Sequence, residues 1–241
     1  MAAVVTIAAS VIYFDSLGDI ALAREIANDK VSRHDIVISG KETDIDGTRN
    51  QSLLELVETS VYEFASPIIT NLTIAYGSTT LMVEQAKSSN IDLDDSLRAV
   101  LINAPAIQDN SIMTAGSWPS TTVSETKTEQ LLIDVALEES AAKLLKLSVG
   151  DTVIVRPFSD DLSNSITLRI SGTFSKSGSD PNFWPEISDK FFLNDPDLNF
   201  LPFIPNPRVF ESVVGPYYPE MAVRYFWRFH VDSSLVTTSV A

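Results

Sequence analysis

Residues 131–155 read LLIDVALEESAAKLLKLSVGDTVIV, and this stretch decides the fold that the sequence predicts. Its first five residues form a mostly apolar run of strand length. Residues 136–147 then show the spacing of a short amphipathic helix, with Leu137, Ala141, Leu144 and Leu145 on one side and Glu138, Glu139, Lys143 and Lys146 on the other. Residues 147–151 are predicted to end the helix in a turn, because Gly150 tolerates the left-handed backbone that commonly follows a helix.

A pair of strands is predicted directly after this turn. Residues 152–155 form an apolar run, and residues 166–170 alternate apolar and polar side chains as a half-buried partner strand does. The polar residues 159–164 between them are typical of a connecting turn.

The first half of the chain predicts a β-α-β(β) unit. A stripe of apolar residues at helical spacing over 53–65 predicts an amphipathic helix that ends before Pro67, after a polar loop at 41–50. Strands are predicted at 35–40, 69–76, 79–83 and 97–102, with the second and third paired around Gly77-Ser78.

Beyond Ser175 the chain is rich in proline and phenylalanine. This proline density argues against long helices and central strands. The phenylalanines would be poorly placed in a solvated linker, so a packed irregular segment is predicted. Alternation resumes at 225–231, which predicts a strand.

An ordered series of segments resembles the extracytoplasmic core domain of FtsX-like and MacB-type ABC transporter permeases. The segments are IMTAGSWPS (112–120), ALEESAAKLLKLSVGDTVIV (136–155), ITLRISGTF (166–174) and SDPNFWPE (179–186). Members of this family carry a small-residue helix that ends in a Leu-x-Val-Gly-Asp turn, followed by a strand pair. The resemblance covers roughly residues 110–185, and its motifs are turn and packing positions rather than catalytic ones.

This resemblance implies an α+β fold, in which a split porter-like β-α-β subdomain carries an inserted small β-rich subdomain. The implied divisions are the outer end of a membrane helix with its soluble extension (1–30), the first half of the porter-like subdomain (31–110), the inserted β-rich subdomain with the irregular Pro/Phe-rich segment (111–220), and the truncated start of the second porter-like half (221–241). The segment YFWRFHVDSS (225–234) resembles the point where such chains return to the porter-like half.

The N-terminal segment Ala2–Phe14 is uncharged and mainly apolar, but it is shorter than the ~20 residues needed to cross a bilayer. The family resemblance implies the outer part of a membrane helix, with residues 15–27 as its soluble extension. An ordinary buried helix or strand is the alternative. A secretory signal peptide is less consistent with the sequence, because the basic residues that precede its apolar core are missing.

The predicted function is therefore that of an extracytoplasmic, non-catalytic domain at the cell membrane. The resemblance implies as partners the transmembrane remainder of the permease, a separate cytoplasmic ATPase subunit, a second permease copy, and a cargo or extracytoplasmic partner protein. A formal charge of −15 argues against nucleic acid, whose phosphates require clustered lysine and arginine. The sequence has no phosphate-binding loop of the Gly-x4-Gly-Lys-Ser/Thr type. The alternative is a free secreted or surface-bound binding module.

No residue is assigned as catalytic, cofactor-binding or metal-binding. Ser140-Ala141-Ala142-Lys143 and Lys176-Ser177-Gly178 match the Ser-x-x-Lys and Lys-Ser-Gly motifs of serine penicillin-interacting enzymes, but their separation leaves no room for the helical domain between them. Residues 44–47 and 92–95 hold aspartates without the complete spacing of a calcium loop.

The remaining candidates are single residues. His34 and His230 lie far apart in the sequence and have no flanking ligand pattern. Trp118, Trp184 and Trp227 are interpreted as packing residues rather than binding anchors. Residues 50–52 and 71–73 are glycosylation sequons, which matter only in a source that glycosylates secreted proteins. The absence of cysteine excludes disulfides and thiolate metal sites.

Overall fold

A computed structural model describes residues 3–6, 35–43, 46–86, 97–125, 131–157, 165–178, 183–191 and 199–232. The chain is a mixed α+β protein, as the sequence predicts, and it divides into two compact units. Unit 1 comprises residues 1–41, 51–74 and 225–241, and unit 2 comprises residues 42–50 and 75–224.

The strands, in chain order, are β1 (Ala3–Thr6), β2 (Ile36–Glu42), β3 (Ile69–Ser78), β4 (Leu81–Ala86), β5 (Leu97–Asn103), β6 (Ser111–Gly116), β7 (Val123–Glu125), β8 (Leu131–Glu138), β9 (Thr152–Arg156), β10 (Ile166–Lys176), β11 (Asn199–Pro205) and β12 (Val223–Val231). The α-helices are α1 (Gly47–Ala65), α2 (Glu139–Leu144) and α3 (Phe183–Phe191). A π-helix follows at Phe210–Val214, between short helical turns at Pro207–Val209 and Gly215–Tyr217. Two 3-10 turns lie at Ser66–Ile68 and Pro105–Ile107.

In unit 1 the strands follow the order β1-β2-β12-β3. Strand β12 therefore has β2 on one side and β3 on the other. It carries alternating aromatic side chains, and its Phe229 ring packs edge-on against Tyr62 of α1, with 5.8 Å between the ring centroids. The helix thus packs against the strand that the periodicity at 225–231 predicts.

The sheet of unit 2 closes into a six-stranded barrel. Its order is β5-β11-β8-β10-β9-β4, and β4 pairs back to β5 with Leu81 opposite Ala99. Side chains with no exposed surface line every strand of this ring, among them Leu81, Leu101, Val135, Val153, Leu168 and Phe203. The short strands β6 and β7 pair outside the ring, with β10 and β8. Because the ring is closed, each of its strands has a hydrogen-bonded neighbour on both sides. The tilt and register of the strands set the geometry with which such a ring closes.

Most predicted elements are confirmed with small changes of boundary. The strands expected at 35–40, 97–102, 152–155, 166–170 and 225–231 are β2, β5, β9, β10 and β12. The helix expected at 53–65 is α1, but it begins at Gly47, inside the predicted polar loop. Its first turn is capped by Asp46, whose carboxylate accepts a hydrogen bond from the backbone N–H of Arg49 at 2.8 Å.

The prediction of a helix at 136–147 is wrong for residues 136–138. Strand β8 continues through Glu138, because Leu137 pairs with Thr173 of β10 and with Phe203 of β11 inside the barrel. Only residues 139–144 remain helical. The left-handed residue that follows this helix is Lys146, with φ 52°, while Gly150 takes a positive φ of 97° later in the turn.

The strands expected around Gly77-Ser78 do not pair with each other. Strands β3 and β4 both pair antiparallel with β5, through Tyr76 opposite Asn103 and Leu81 opposite Ala99. The Ser78 hydroxyl accepts a hydrogen bond from the backbone N–H of Leu101 at 3.0 Å, so the chain follows β5 instead of folding back.

The expectation of no central strand in the proline-rich segment is also wrong. Strand β11 lies between β5 and β8 in the barrel. Proline has no backbone N–H to donate to a neighbouring strand, but the two prolines of β11 occupy positions where this matters little. Pro202 lies one residue before the pairing with β8 begins at Phe203, and Pro205 is the last residue of the strand.

Within the range 1–30, for which the family resemblance implies a membrane helix, the structure describes only residues 3–6. These form β1, which runs parallel to β2 with Ala3 opposite Ile36. The helical interpretation is wrong for these four residues, which form a strand. The rest of this segment and the predicted turn at 159–164 lie outside the described residues. None of the helices in the described part of the chain is long and apolar enough to cross a membrane.

Replacement of Gly77 by alanine is expected to destabilise unit 2 by about 1–3 kcal/mol, the usual range for overpacking. A Cβ at this position would overlap the carbonyl oxygen of Leu101 and press on the ring of Phe191. Urea unfolding monitored by circular dichroism measures the loss. The control is Gly47→Ala in the same unit, where the new Cβ meets only Glu211 at 3.9 Å, and an equal loss there would contradict the packing argument.

Candidate functional site

The most organised polar group in unit 1 is a line of three buried side chains. Asp35 lies just before β2, His230 lies near the end of β12, and Thr73 lies in β3. The His230 Nδ1 atom is 3.3 Å from Asp35 Oδ2, and its Nε2 atom is 3.1 Å from the Thr73 hydroxyl. Because β12 lies between β2 and β3, the strand order itself brings a carboxylate and a hydroxyl to opposite sides of this imidazole.

Carboxylate, imidazole and hydroxyl follow one another here in the order used by hydrolases that activate a serine or threonine. A nucleophile must also reach its substrate, and each of these three side chains is less than one-tenth exposed. In this conformation the Thr73 hydroxyl is closed off from solvent. The arrangement therefore acts as a buried hydrogen-bonding network that ties three strands together.

The groups around Asp35 stabilise the ionised form of its carboxyl. Burial by itself would raise the pKa of this carboxyl, but His230, the backbone N–H of Val231 and the charge of Arg228 together bring the pKa below its ordinary value. The Val231 N–H donates to Asp35 Oδ1 at 3.2 Å, and Arg228 Nε lies 3.6 Å from Oδ2. Folding is thereby coupled to ionisation of Asp35.

A second polar group, in unit 2, centres on Glu211 in the π-helix. One oxygen of its carboxylate accepts hydrogen bonds from the Asn50 side chain at 2.7 Å and from the Tyr76 hydroxyl. Asn50 is almost completely buried and belongs to the first turn of α1. Glu211 therefore joins the start of α1 and the strand β3 to one turn of the π-helix, a helix type that is frequent at functional sites.

A ladder of aromatic rings lies at one end of unit 2. Trp118 stacks on Phe174 and Phe174 stacks on Trp184, with ring centroids 5.7 Å and 5.5 Å apart. The Trp184 indole N–H donates to the backbone oxygen of Asn110 at 2.7 Å, and Lys176 Nζ lies 5.4 Å from the Trp184 ring. These contacts make Trp118 and Trp184 packing residues of the segment that carries the family resemblance.

The two motifs of serine penicillin-interacting enzymes occupy surface positions. Ser140 is exposed on α2, and Lys143 forms an exposed ion pair with Glu139 at 2.9 Å. Lys176 forms an ion pair with Glu138, also at 2.9 Å. Ser140 and Lys143 thus have the surroundings of an ordinary helix surface.

The candidate ligand residues are distributed as follows. Asp46 caps α1, while residues 44–45, residues 92–95 and His34 lie outside the described part of the chain. The described residues contain no group of three or more His, Cys, Asp or Glu side chains that could hold a metal ion. Trp227 is buried and stacks on Tyr225 with 5.5 Å between the ring centroids. Of the two sequons, Asn71 is exposed and Asn50 is buried against Glu211.

Sequence reasoning named His230 but missed its partners and missed Glu211. The available signal was modest: a histidine in an apolar alternating strand and an aspartate directly before another buried strand. Nothing in the sequence connects Thr73 to His230, because they are 157 positions apart.

No protein-family model matches this chain, and no curated protein shows significant similarity to it.

Asp35→Asn is expected to destabilise unit 1 by about 1.5–3 kcal/mol at pH 7, the net contribution of hydrogen bonds to a charged group, because the variant removes the charge that faces His230 and Arg228. Because the folded-state pKa of Asp35 lies below the usual 3.8, its contribution is complete above that pH and is lost as the pH falls through the folded value. The variant should therefore lose part of the acid dependence of stability below about pH 4. Hydrogen exchange of the β12 amides at several pH values measures both effects.

The matched control for this change is Asp46→Asn, because Asp46 is exposed and asparagine caps a helix as well as aspartate does. An identical pH dependence in Asp35→Asn and the parent chain would contradict the assigned role of Asp35.

Glu211→Leu is expected to destabilise unit 2 by about 0.5–1.5 kcal/mol for each of the hydrogen bonds from Asn50 and Tyr76 that it removes. Glu211→Gln keeps an oxygen that can accept from Asn50 and Tyr76, so its loss should be clearly smaller. Urea unfolding of the two variants separates these cases. Equal losses would show that the negative charge, and not the acceptor, is what the site requires.

Proposed function

We propose that this chain is the extracytoplasmic domain of an ABC transporter permease of the FtsX-like or MacB type. It contacts substrate or partner proteins outside the membrane and is coupled mechanically to a separate cytoplasmic ATPase. In this role the domain performs no bond chemistry, and its partners include the transmembrane remainder of the permease and a second permease copy.

The insertion of one unit into the other carries this proposal. Residues 75–224 of unit 2 form one continuous segment between parts of unit 1, since unit 1 contains residues 51–74 before it and 225–241 after it. A split subdomain with an inserted β-rich subdomain is the organisation that the family resemblance implies. The inserted segment begins earlier than the expected 111–220, because β4 and β5 are strands of the barrel and the end of β3 pairs with β5.

The structural roles of the family motif provide further support. In the Leu-Ser-Val-Gly-Asp turn, Gly150 N–H donates to Ile170 O at 2.8 Å and Ile170 N–H donates to Asp151 O at 2.9 Å. Asp151 also accepts from the backbone N–H of Ser148 at 2.8 Å. The turn is therefore bonded to β10, as expected of a signature made of packing positions.

The test of this proposal uses the complete natural polypeptide, expressed in its own cells, and exploits the absence of cysteine in this chain. Ser140→Cys and Gln108→Cys place single thiols at exposed positions, and Val155→Cys places one in the barrel core as a matched control. A membrane-impermeant maleimide should label the two exposed positions in intact spheroplasts, while Val155→Cys stays unlabelled until denaturation.

Fractionation and purification complete the test. The labelled protein should sediment with membranes and copurify in detergent with a subunit that hydrolyses ATP. Labelling that requires lysis would overturn the extracytoplasmic location. Release of the whole protein into the medium, without membrane association, would favour the free binding module instead.

A further inference from the structure

Asn103, the last residue of β5, buries an amide that no other group in the described part of the chain satisfies. Its side chain is 1% exposed, and neither its Nδ2 nor its Oδ1 atom has a hydrogen-bond partner there. A side-chain amide can donate two hydrogen bonds and accept two. Because an unpaired polar group in a protein interior is costly, such groups nearly always have a protein or water partner.

The Asn103 amide lies on the inner face of the barrel. Residues two apart in a strand share a face, so Asn103 is on the same side of β5 as Leu101, which has no exposed surface. The opposite side of the sheet carries α3, since a Cβ at Gly77, opposite Ile102, would press on the ring of Phe191. Asn103 therefore extends the inner face one step beyond Leu101, towards the end of the barrel.

The π-helix covers this end of the barrel. Tyr76 lies directly opposite Asn103 on β3, so the two side chains share a face. The Tyr76 ring packs against Phe210, the fully buried first residue of the π-helix, with 6.0 Å between the ring centroids. The Tyr76 hydroxyl donates its proton to Glu211, so it has none to donate to Asn103. The barrel strands and this aromatic cover together account for the burial of Asn103.

The chemistry of this position limits what can bind there. A ligand must accept from Nδ2 or donate to Oδ1 of Asn103, in a place that is closed to solvent. An ion would lose its hydration and would need a buried counter-charge, which an amide does not supply. A water molecule both donates and accepts, and folded proteins hold about one buried water per 27 residues, usually bonded to polar groups that lack a protein partner.

We propose that Asn103 anchors an internal water-binding site at the end of the barrel that the π-helix covers. The water accepts from Nδ2 or donates to Oδ1, and main-chain groups at the strand ends complete its hydrogen bonds. The pairing of β5 with β11 ends at Leu101 opposite Phe203, so β5 continues for two residues past that ladder. The site does not depend on the proposed transport function.

The first test is a crystal structure of the full 241-residue chain, at a resolution that places ordered waters. Density for a water is expected at about 2.7–3.2 Å from Asn103 Nδ2 or Oδ1. Crystals of Asn103→Leu should show no water at this position, because leucine has a similar size and no polar atom. Parent crystals without such density would overturn the proposal.

Oxygen-17 magnetic relaxation dispersion, recorded at several temperatures, tests the site in solution. This measurement counts long-lived internal waters, and Asn103→Leu should lose at least one of those that the parent chain holds. The matched control is Asn71→Leu, which removes an exposed asparagine of β3 and should leave the count unchanged. An unchanged count in Asn103→Leu, or an equal loss in the control, would contradict the assignment.

Urea unfolding separates a bound water from an unpaired amide. If a water satisfies Asn103, the leucine variant loses these hydrogen bonds and its unfolding midpoint should fall. If the amide is unpaired, an apolar residue of similar shape removes a penalty and the midpoint should rise, which would rule the water site out. Should Asn103→Leu not fold, the parent crystal structure still decides the question. None of these results changes the maleimide labelling pattern, so the two proposals fail separately.

Discussion

The pairing of β4 with β5 is the constraint on which the structure of unit 2 depends. It closes the barrel, and it requires one edge of β5 to receive two successive strands, β4 and β3. The chain must then pass Leu101 so closely that only glycine fits at Gly77. The same closure draws β11 between β5 and β8 despite its prolines, and it keeps Leu137 in a strand. At these positions the pairing of strands in the barrel determines the structure, and the local helix or strand preference of the sequence does not.

The sequence predicts those elements whose burial is regular along the strand or helix. Alternation at 166–170 and 225–231, and the apolar stripe at 53–65, are local patterns that tertiary packing uses unchanged. Elements defined by distant partners are not predictable in this way. Proline at position 202 argues against a strand until the start of the β8 pairing at Phe203 is known, and the helical spacing around Leu137 is outweighed by two neighbouring strands.

The same distinction applies to the polar groups. His230 is visible in the sequence as an isolated histidine, but only the order β2-β12-β3 supplies Asp35 and Thr73 as its partners. Glu211 is similarly ordinary until Asn50 and Tyr76 converge on it. Both groups are hydrogen-bonded, and most of their side chains are buried.

The burial of Asn50 has a consequence for the choice of expression host. An oligosaccharide cannot occupy the space in which the Asn50 amide bonds to Glu211, so attachment could occur only on the unfolded chain and would then block formation of the first turn of α1. The exposed Asn71 imposes no such conflict. Secretion through a eukaryotic pathway would thus set oligosaccharyl transfer at Asn50 in competition with folding, and bacterial production avoids that competition.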